Sequence, residues 1–512
     1  MEYSTIHSDE FGKINLYTLP LPEDIILLSG TYTASGRVAV NYRKNGDSNS
    51  FMRIATVNDD GSNFIEIFAG EAPLNPRANG FRFMCFEDNT RALTGDYVFE
   101  AEPDMDHPGT TRMVPLKYPE ELVNFPGLWM LWSEIVIAPD NEHMAWSTLT
   151  RGGSDVYTGR LVREADCYTI ADVQHVSTQG FVPDPDHEGC VVEIPTRGGE
   201  VKQFIRGVRA LSYVGVGRGC GSSMVQMLDS EEVLTVSKAP SYDETTLFSP
   251  DEKLGIVMSS RFSPATNSAV VGMIPRRGNI ALKHGLAMNA YLLAVAAVRA
   301  KTKGNVGPAL VFLDRAMKDY HYTGVNLSDP EEEWVYYSPM SWHPSSRKCM
   351  WNEGLRKTIG NGMRLRIAVL EDYKPAEKIR NAGFPETVPY AVPGIQAKAP
   401  ELTQNIRIAG KYSGFAVTEI IPGMPMKTVV KYENFSDDGL SFLNGEESVV
   451  TPGLIGTGNT VYDAKLVLTG AHTGESDVHL IYERPGREEP VQIAAESRGY
   501  AVYDGVRAEV QV

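Results

Sequence analysis

An all-β chain, a six- or seven-bladed β-propeller followed by a small antiparallel β-sandwich, is predicted by three observations on the 512-residue sequence. A unit of roughly 40–50 residues recurs loosely, which is the length of one propeller blade. Its central turn is written nearly alike in several copies: APDNE (138–142), SPDEK (249–253) and HPSSR (343–347). The last hundred or so residues alternate apolar and polar positions, with almost no helical period.

The units can be placed in order. The first is IILLSGTYTASGRVAVNYRKNGD (25–47), continued by RIATVNDDGSNFIEIF (53–68), and the second FRFMCFEDNTRALTGDY (81–97). LWSEIVIAPDNEHMAWSTLTRGG (131–153) and the Gly-rich segment 208–238 follow. TTLFSPDEKLGIVMSSRF (245–262) and YYSPMSWHPSSRKCMWNEG (336–354) complete six, with a seventh open. Pro presets φ and Asp or Asn tolerates the tight reversal between paired strands, so these turns have a physical reason to recur. The propeller is assigned to 1–380, interrupted by a helical insertion at about 281–325. The Pro- and Ala-rich stretch that begins near Lys374 resists both helix and central strand, and 381–403 is read as a linker. Residues 404–512 carry strands such as TVVKYENF, AKLVLTG and DVHLIYER between DDG, NGE, TGE and PGR turns.

Composition narrows the partners. With 48 Lys+Arg against 65 Asp+Glu the net charge is −17, and no basic run is present to displace counterions, so nucleic acid is not expected. The longest apolar stretch, Gly285 to Val298, falls short of the roughly 20 residues of a membrane span, so a buried helix and no membrane partner are expected. Five separated cysteines, Cys85, Cys167, Cys190, Cys220 and Cys349, signal neither zinc knuckle nor disulfide framework, with one bridge left open. The opening MEYSTIHSDEFGK shows no secretion signal, and two glycosylation sequons, at Asn326 and Asn434, leave the compartment open.

A propeller binds small molecules where its first strands and its second-to-third-strand loops converge. Those loops carry Arg43, Asp96, Arg151, Arg261, Glu353 and Arg356. Arg43, Arg151, Arg261 and Arg356 are expected to bind an anionic group through the guanidinium fork. First strands and neighbouring positions add Trp132, Glu134, Asp243, Glu244, Trp342, His343 and Trp351. Trp132, Trp342 and Trp351 would stack on sugar or polycyclic rings, while Trp146 and Trp334 are assigned to packing. Glycoside cleavage needs two carboxyl groups flanking the bond. Glu134 and Glu353 are the chosen pair, with Asp243, Glu244 and a general acid–base at His343 as further candidates. The echoing EPDMDHPG and VPDPDHEG segments offer metal-compatible sets, Asp104, Asp106, His107 and Asp184, Asp186, His187. Acidic Pro-rich loops arise without metal, and no cofactor is assigned. GVGRGCG (215–221) lacks the dinucleotide fingerprint, and no G-x-S-x-G, HExxH or Walker A motif occurs.

The PD-centred turns resemble those of TolB-like propellers over about 350 residues, a resemblance that specifies fold. KYENFSDDGLSFLNGEESV (431–449) and KLVLTGAHTG (465–474) after a propeller resemble the fungal saponin-hydrolase-like proteins. That resemblance implies release of a glucuronic-acid-linked sugar from a triterpenoid. The layout is also similar to fungal hetero-Diels–Alderases, which would orient two apolar partners with no hydrolytic pair. A glycoside-acting enzyme on a uronic-acid-bearing substrate is the leading expectation. Non-hydrolytic assembly catalysis and a binding propeller without chemistry are the alternatives.

Overall fold

In the computed structural model the repeated turn is the place where a blade's first strand reverses into its second. Asn89, Asn141, Glu252 and Ser346 occupy the same position in four copies and all have positive φ, between 57° and 64° for three of them and 51° for Glu252. Asp140 shows why the preceding Asp recurs: its carboxylate accepts the backbone N–H of Glu142 and of His143, both at 2.9 Å. The structure describes residues 4–79, 83–150, 153–177, 181–193, 199–217, 220–276, 283–328, 333–395, 405–452, 458–484, 486 and 489–512.

Among the described residues six antiparallel blades follow one another along the chain, each of four strands except blade six, which carries Ser4–Ser8 as a fifth beyond its fourth. Their first strands are Ile25–Tyr32, Phe83–Cys85, Leu128–Ile137, Glu200–Ile205, Asp243–Phe248 and Trp334–Trp342. The ring is closed by Gly12–Thr18, which pairs as fourth strand with Met363–Leu370 of blade six, Ile14 opposite Leu370 and Tyr17 opposite Ile367. Blade six also grips blade one through Asn352, which donates to the Gly30 carbonyl at 3.3 Å and accepts the Gly30 N–H at 3.2 Å. All five cysteines are free thiols, four of them buried, so the one bridge left open does not form.

Blade five departs from the expected boundaries. Its third and fourth strands, Pro308–Phe312 and Val325–Asn326, lie inside the stretch read as insertion. The inserted segment instead leaves the second-to-third-strand loop after Ser259 and returns at Pro308, on the top face of the propeller. It contains the buried helix expected at 285–298: Lys283–Tyr291, a π-helical stretch Leu292–Ala297, then Val298–Ala300. No helix among the described residues is long and apolar enough to cross a membrane.

The expected C-terminal sandwich is one continuous nine-stranded antiparallel sheet. Its second layer is the insertion. Strand Thr460–Gly470 alternates strictly between buried and outward positions, and Tyr462, Leu466, Leu480 and Tyr482 join Leu286, Ala290 and Leu293 in one core. Alternation alone shows that one face is buried but not what buries it. A buried ion pair fixes the contact. Arg276 Nε donates to Glu447 at 2.9 Å, with side chains only 4% and 1% exposed. Tyr432 and Tyr462 donate their hydroxyls to the same carboxylate at 2.8 and 3.0 Å, and the Arg276 guanidinium reaches the carbonyls of Val271 and Ile274.

The segment after blade six is anchored from its first residues and is not a loose linker. It crosses the bottom of the propeller as a strap, passing the turns of blades five, four and three in reverse order. Asp251 accepts the Tyr373 hydroxyl at 2.6 Å and the Ala376 N–H at 3.0 Å. Ala382 donates to the Gly207 carbonyl, Phe384 stacks on His143 at 4.4 Å, and Tyr390 donates to the Met227 carbonyl at 2.6 Å. Val392–Pro393 then pairs with the outer strand of blade three.

Removing one partner of a buried ion pair costs about 3–5 kcal/mol. Arg276→Met is therefore expected to release the C-terminal sheet as a separate, lower melting transition in calorimetry, and Glu447→Leu added to it to restore much of the loss. Burial opposes ionisation of Asp251, but its bonds to Ser249, Tyr373 and Ala376 prevail and hold its carboxyl below the usual range. The tie is thus complete above the unfolded carboxyl value of about 3.9 and fades as pH falls through the lower folded value. Asp251→Ala should reproduce the acid state at neutral pH, with trypsin cutting first at Lys378 and Arg380; unchanged first cleavage sites would show that Asp251 does not secure the strap.

Candidate active site

First strands line a propeller's channel, and residues two apart on a strand share a face. Glu200 and Lys202 of blade four and Tyr242 and Glu244 of blade five use that spacing, and Glu134 of blade three faces them. Lys202 stands among the three carboxylates, its Nζ donating to Glu134 at 3.0 Å, Glu200 at 3.1 Å and Glu244 at 3.3 Å. The carboxylates approach closely enough that one oxygen from each lies within 4.8 Å of the others. Lys202 is 3% exposed, Glu134 6%, Glu244 12% and Glu200 26%, so Glu200 is the edge of the cluster nearest solvent.

Tyr242 donates its hydroxyl to Glu244 at 2.6 Å. Tyr291 reaches down from the insertion helix, its ring 6.4 Å from that of Tyr242, and remains 39% exposed. Burial, with Glu244 and Glu200 adding to it, pushes the Tyr291 phenol up to about 12. For Glu244 burial favours the neutral acid, but the Lys202 ammonium, the Tyr242 hydroxyl and the Arg299 guanidinium outweigh it. Its pKa falls below the ordinary carboxylate value. The site therefore holds an ionised carboxylate, two neutral phenols and an ammonium in a largely water-excluded space. Lys202 occupies the centre that a metal ion would take. This is the one group of three metal-compatible side chains so placed among the described residues.

Of the residues chosen from sequence, Glu134 and Glu244 belong to this cluster. Most others have work within the fold. Asp243 and Arg261 pair with each other at 2.8 Å, both side chains almost fully buried, and Ser241 holds the second Asp243 oxygen at 2.7 Å. Arg356 hooks the end of the insertion helix, donating to the carbonyls of Val298, Thr302 and Gly304, where the helix dipole is negative. Arg43 braces its own hairpin through Asn49 and Phe51. Arg151 lies outside the described residues.

Glu353 accepts the Trp351 indole N–H at 2.8 Å and the Arg364 guanidinium at 2.6 Å. Burial raises its pKa while Arg364 pulls the other way. Trp351 and Trp132 are fully buried, and Trp132 donates to Asp96 at 3.0 Å across the joint of blades two and three. Trp342 donates to the Leu247 carbonyl at 2.9 Å between blades five and six. Trp132 and Trp342 thus join blades, while Trp351 bonds within its own strand. Trp146 is buried between Tyr118 and Tyr157, as assigned. His343 sits in the first turn of blade six, on the face opposite the cluster, its ring against Tyr32 and its Nδ1 on Ser345.

The two D-x-D-H segments are turns. Asp104 accepts the N–H groups of Asp106 and His107, and Asp184 those of Asp186 and the His187 ring. Asp140 and His143 repeat the arrangement without the second Asp, so it follows from turn chemistry. A Ser–His–Asp group on the outer strand of blade three fails as a relay. Ser177 at 2.9 Å and Asp155 at 3.0 Å both contact His175 Nε2, whereas a relay needs base and orienting acid on opposite ring nitrogens. Glu200, Lys202, Tyr242, Tyr291 and Arg299 escaped sequence reasoning. The E-x-K of GGEVKQF and the Y-x-E of SYDETT were the available signal.

Comparison with protein-family models and with curated protein sequences returns no match. Among solved structures the chain is similar to a TolB protein of Agrobacterium tumefaciens, at 10% identity and TM-score 0.33 over 62% of this chain and 88% of that one. TolB of Acinetobacter baumannii follows at 10% identity and TM-score 0.29, over 70% and 66%. Prolyl oligopeptidase B of Galerina marginata follows at 8% identity and TM-score 0.26, over 84% of this chain and 55% of that chain. The fold is all-β, as the strands and sheets described above establish.

Lys202→Met would leave three carboxylates facing one another with no ammonium among them. The expected loss is about 3–5 kcal/mol at neutral pH. Without Lys202 the Glu244 carboxyl titrates upward, so the penalty exists above its unfolded value of about 4.3 and vanishes as acid neutralises it. Melting temperatures of the variant and the parent should converge between pH 7 and pH 4; a pH-independent gap would mean that Lys202 acts by packing.

Proposed function

We propose that the chain is a glycoside-acting enzyme whose chemistry is carried out by Glu134, Glu200 and Glu244 around Lys202 at the top of the channel. The observation that carries the proposal is the grouping itself: three carboxylates from three blades, within 4.8 Å, beside an aromatic ring open to solvent. Glycoside cleavage needs a proton donor and an ionised carboxylate, and separations near 5 Å suit double displacement. Glu244, kept ionised by Lys202, is assigned the nucleophile or cation-stabilising role. Glu200, the most exposed of the three, is assigned proton donation to the departing oxygen. Tyr291 supplies the ring on which a sugar would stack.

The uronate part of the expectation has less support. Arg43, Arg261 and Arg356 serve the fold, and with Glu200 holding the proton it is to donate, Glu134 and Glu244 balance Lys202 and Arg299, so no cationic excess remains to attract a uronate. A neutral sugar ring fits that field better than a uronate. The resemblance to fungal saponin-hydrolase-like proteins rests on 431–449 and 465–474, and in the first of these Tyr432 and Glu447 hold the C-terminal sheet to the insertion. What that wording supports is a common way of docking this domain, with the catalytic groups lying elsewhere.

The test is a mass-spectrometric screen of neutral glycosides, uronides and saponins for release of sugar. Glu244→Gln is expected to lower turnover at least a thousand-fold. Glu200→Gln should lose activity on alkyl glycosides yet retain it on dinitrophenyl glycosides, whose leaving group needs no proton. Full activity of the Glu244 variant, or no release from any class, would remove the proposal.

A further inference from the structure

The outward face of the C-terminal sheet plays no part in docking to the insertion, and it is hollowed. A groove of ≈ 770 Å³ crosses four adjacent strands of the sheet, a size within the roughly 300–1,000 Å³ usual for small-ligand sites. Two rows of side chains line it in register. Lys465, Asp477 and Tyr500 lie opposite one another in the first row, and Asp463, His479 and Arg498 in the second. The hollow has a backbone cause. Gly445 and Gly499, on the two strands flanking the central pair, have φ of 115° and 120°. A Cβ at either would come within 2.1 Å of the carbonyl of the neighbouring strand, at Lys465 and Asp477. Glycine in a strand interior marks a bend or a close approach, and here one stands on each side of the groove.

We propose that this groove is a second binding site, for a neutral oligosaccharide. The lining selects the ligand class. Acids and bases alternate, Asp463 and Asp477 against Lys465 and Arg498, so neither a polyanion nor a polycation meets a field of one sign. Protein interfaces centre on apolar anchors, whereas every side chain pointing out of the sheet into this groove is polar or carries a hydroxyl. Closely spaced donors and acceptors beside a single fixed ring suit the hydroxyls and ring faces of a sugar. Several of these groups are held in advance. Asp463 orients the His479 ring at 2.6 Å. The Tyr500 hydroxyl donates to Glu475 at 2.9 Å, and the Arg507 guanidinium covers one face of its ring at 3.7 Å. The groove is built from the C-terminal sheet alone, so this site is independent of the chemistry assigned to the channel.

The test uses the full chain with cellohexaose, laminarihexaose and maltohexaose as neutral probes and oligogalacturonate as the charged control, by calorimetric titration. At least one neutral probe is expected to bind. Its Kd should weaken tenfold or more in Asp477→Ala and in Tyr500→Ala, both surface changes, and stay unchanged in Glu244→Gln. Any one of three results overturns the site: no neutral probe binds, binding survives Asp477→Ala together with Tyr500→Ala, or oligogalacturonate binds more tightly than the neutral probes. Loss of binding in Glu244→Gln alone would move the ligand to the channel and likewise reject the groove.

Discussion

The buried pair between Arg276 and Glu447 is the interaction through which the two halves of the molecule depend on each other. Arg276 belongs to the propeller's insertion and Glu447 to the C-terminal sheet, and neither charge can stay in that core without the other. Two tyrosine hydroxyls and three backbone bonds complete the coordination, so the contact has one geometry. The C-terminal sheet thereby covers the insertion helix. The far end of that helix is held by Arg356 from blade six. Between these two fixings lie Tyr291 and Arg299, the groups the insertion brings to the carboxylate cluster.

The cluster is a second case of the same economy of charge. Three carboxyl groups gathered in a nearly dry space need a cation among them, and Lys202 supplies it from the strand that also carries Glu200. The π-helical stretch begins immediately after Tyr291. One extra residue per turn at that point changes the direction of the helix beyond it, a device often found beside functional groups. With the strap crossing the lower face, the cluster and the insertion helix lie together at the top.

The blades were legible because their signal is local. The left-handed position in each first turn needs Asn or another tolerant residue beside a capping Asp, or Ser345 in blade six, and that need writes similar words four times. The sheet that covers the insertion was legible as a sheet but not as a single one, because strand alternation records burial and is silent about the partner. The site was half legible. Glu134 and Glu244 sit on strands whose turns are easy to find. Blade four has an irregular turn, with Arg206 and Val208 both at positive φ, and no PD wording marks it; the strand that carries Glu200 and Lys202 was therefore never aligned with the rest. The arginines misled for a physical reason. Second-to-third-strand loops gather at one rim, but a guanidinium there also finds carbonyls at the end of a helix or a carboxylate in the next strand, and the sequence of the loop is the same in either case.

Ring closure has a consequence for how the chain must be made. The strand Gly12–Thr18 lies some 350 residues ahead of its partner Met363–Leu370 in the chain. At about 5–20 residues per second, the interval is on the order of tens of seconds, during which this strand, with apolar residues at Ile14, Leu16 and Tyr17, can pair only with its hairpin neighbour Ser4–Ser8 and keeps its other edge open. Blades one to five can assemble behind it as local meanders, each from neighbouring sequence, while blade six is completed by the longest-range pairing in the molecule. The open edge of that hairpin is thus a segment exposed to mispairing during biosynthesis, and a chaperone or a slow-translating stretch would exert its effect there.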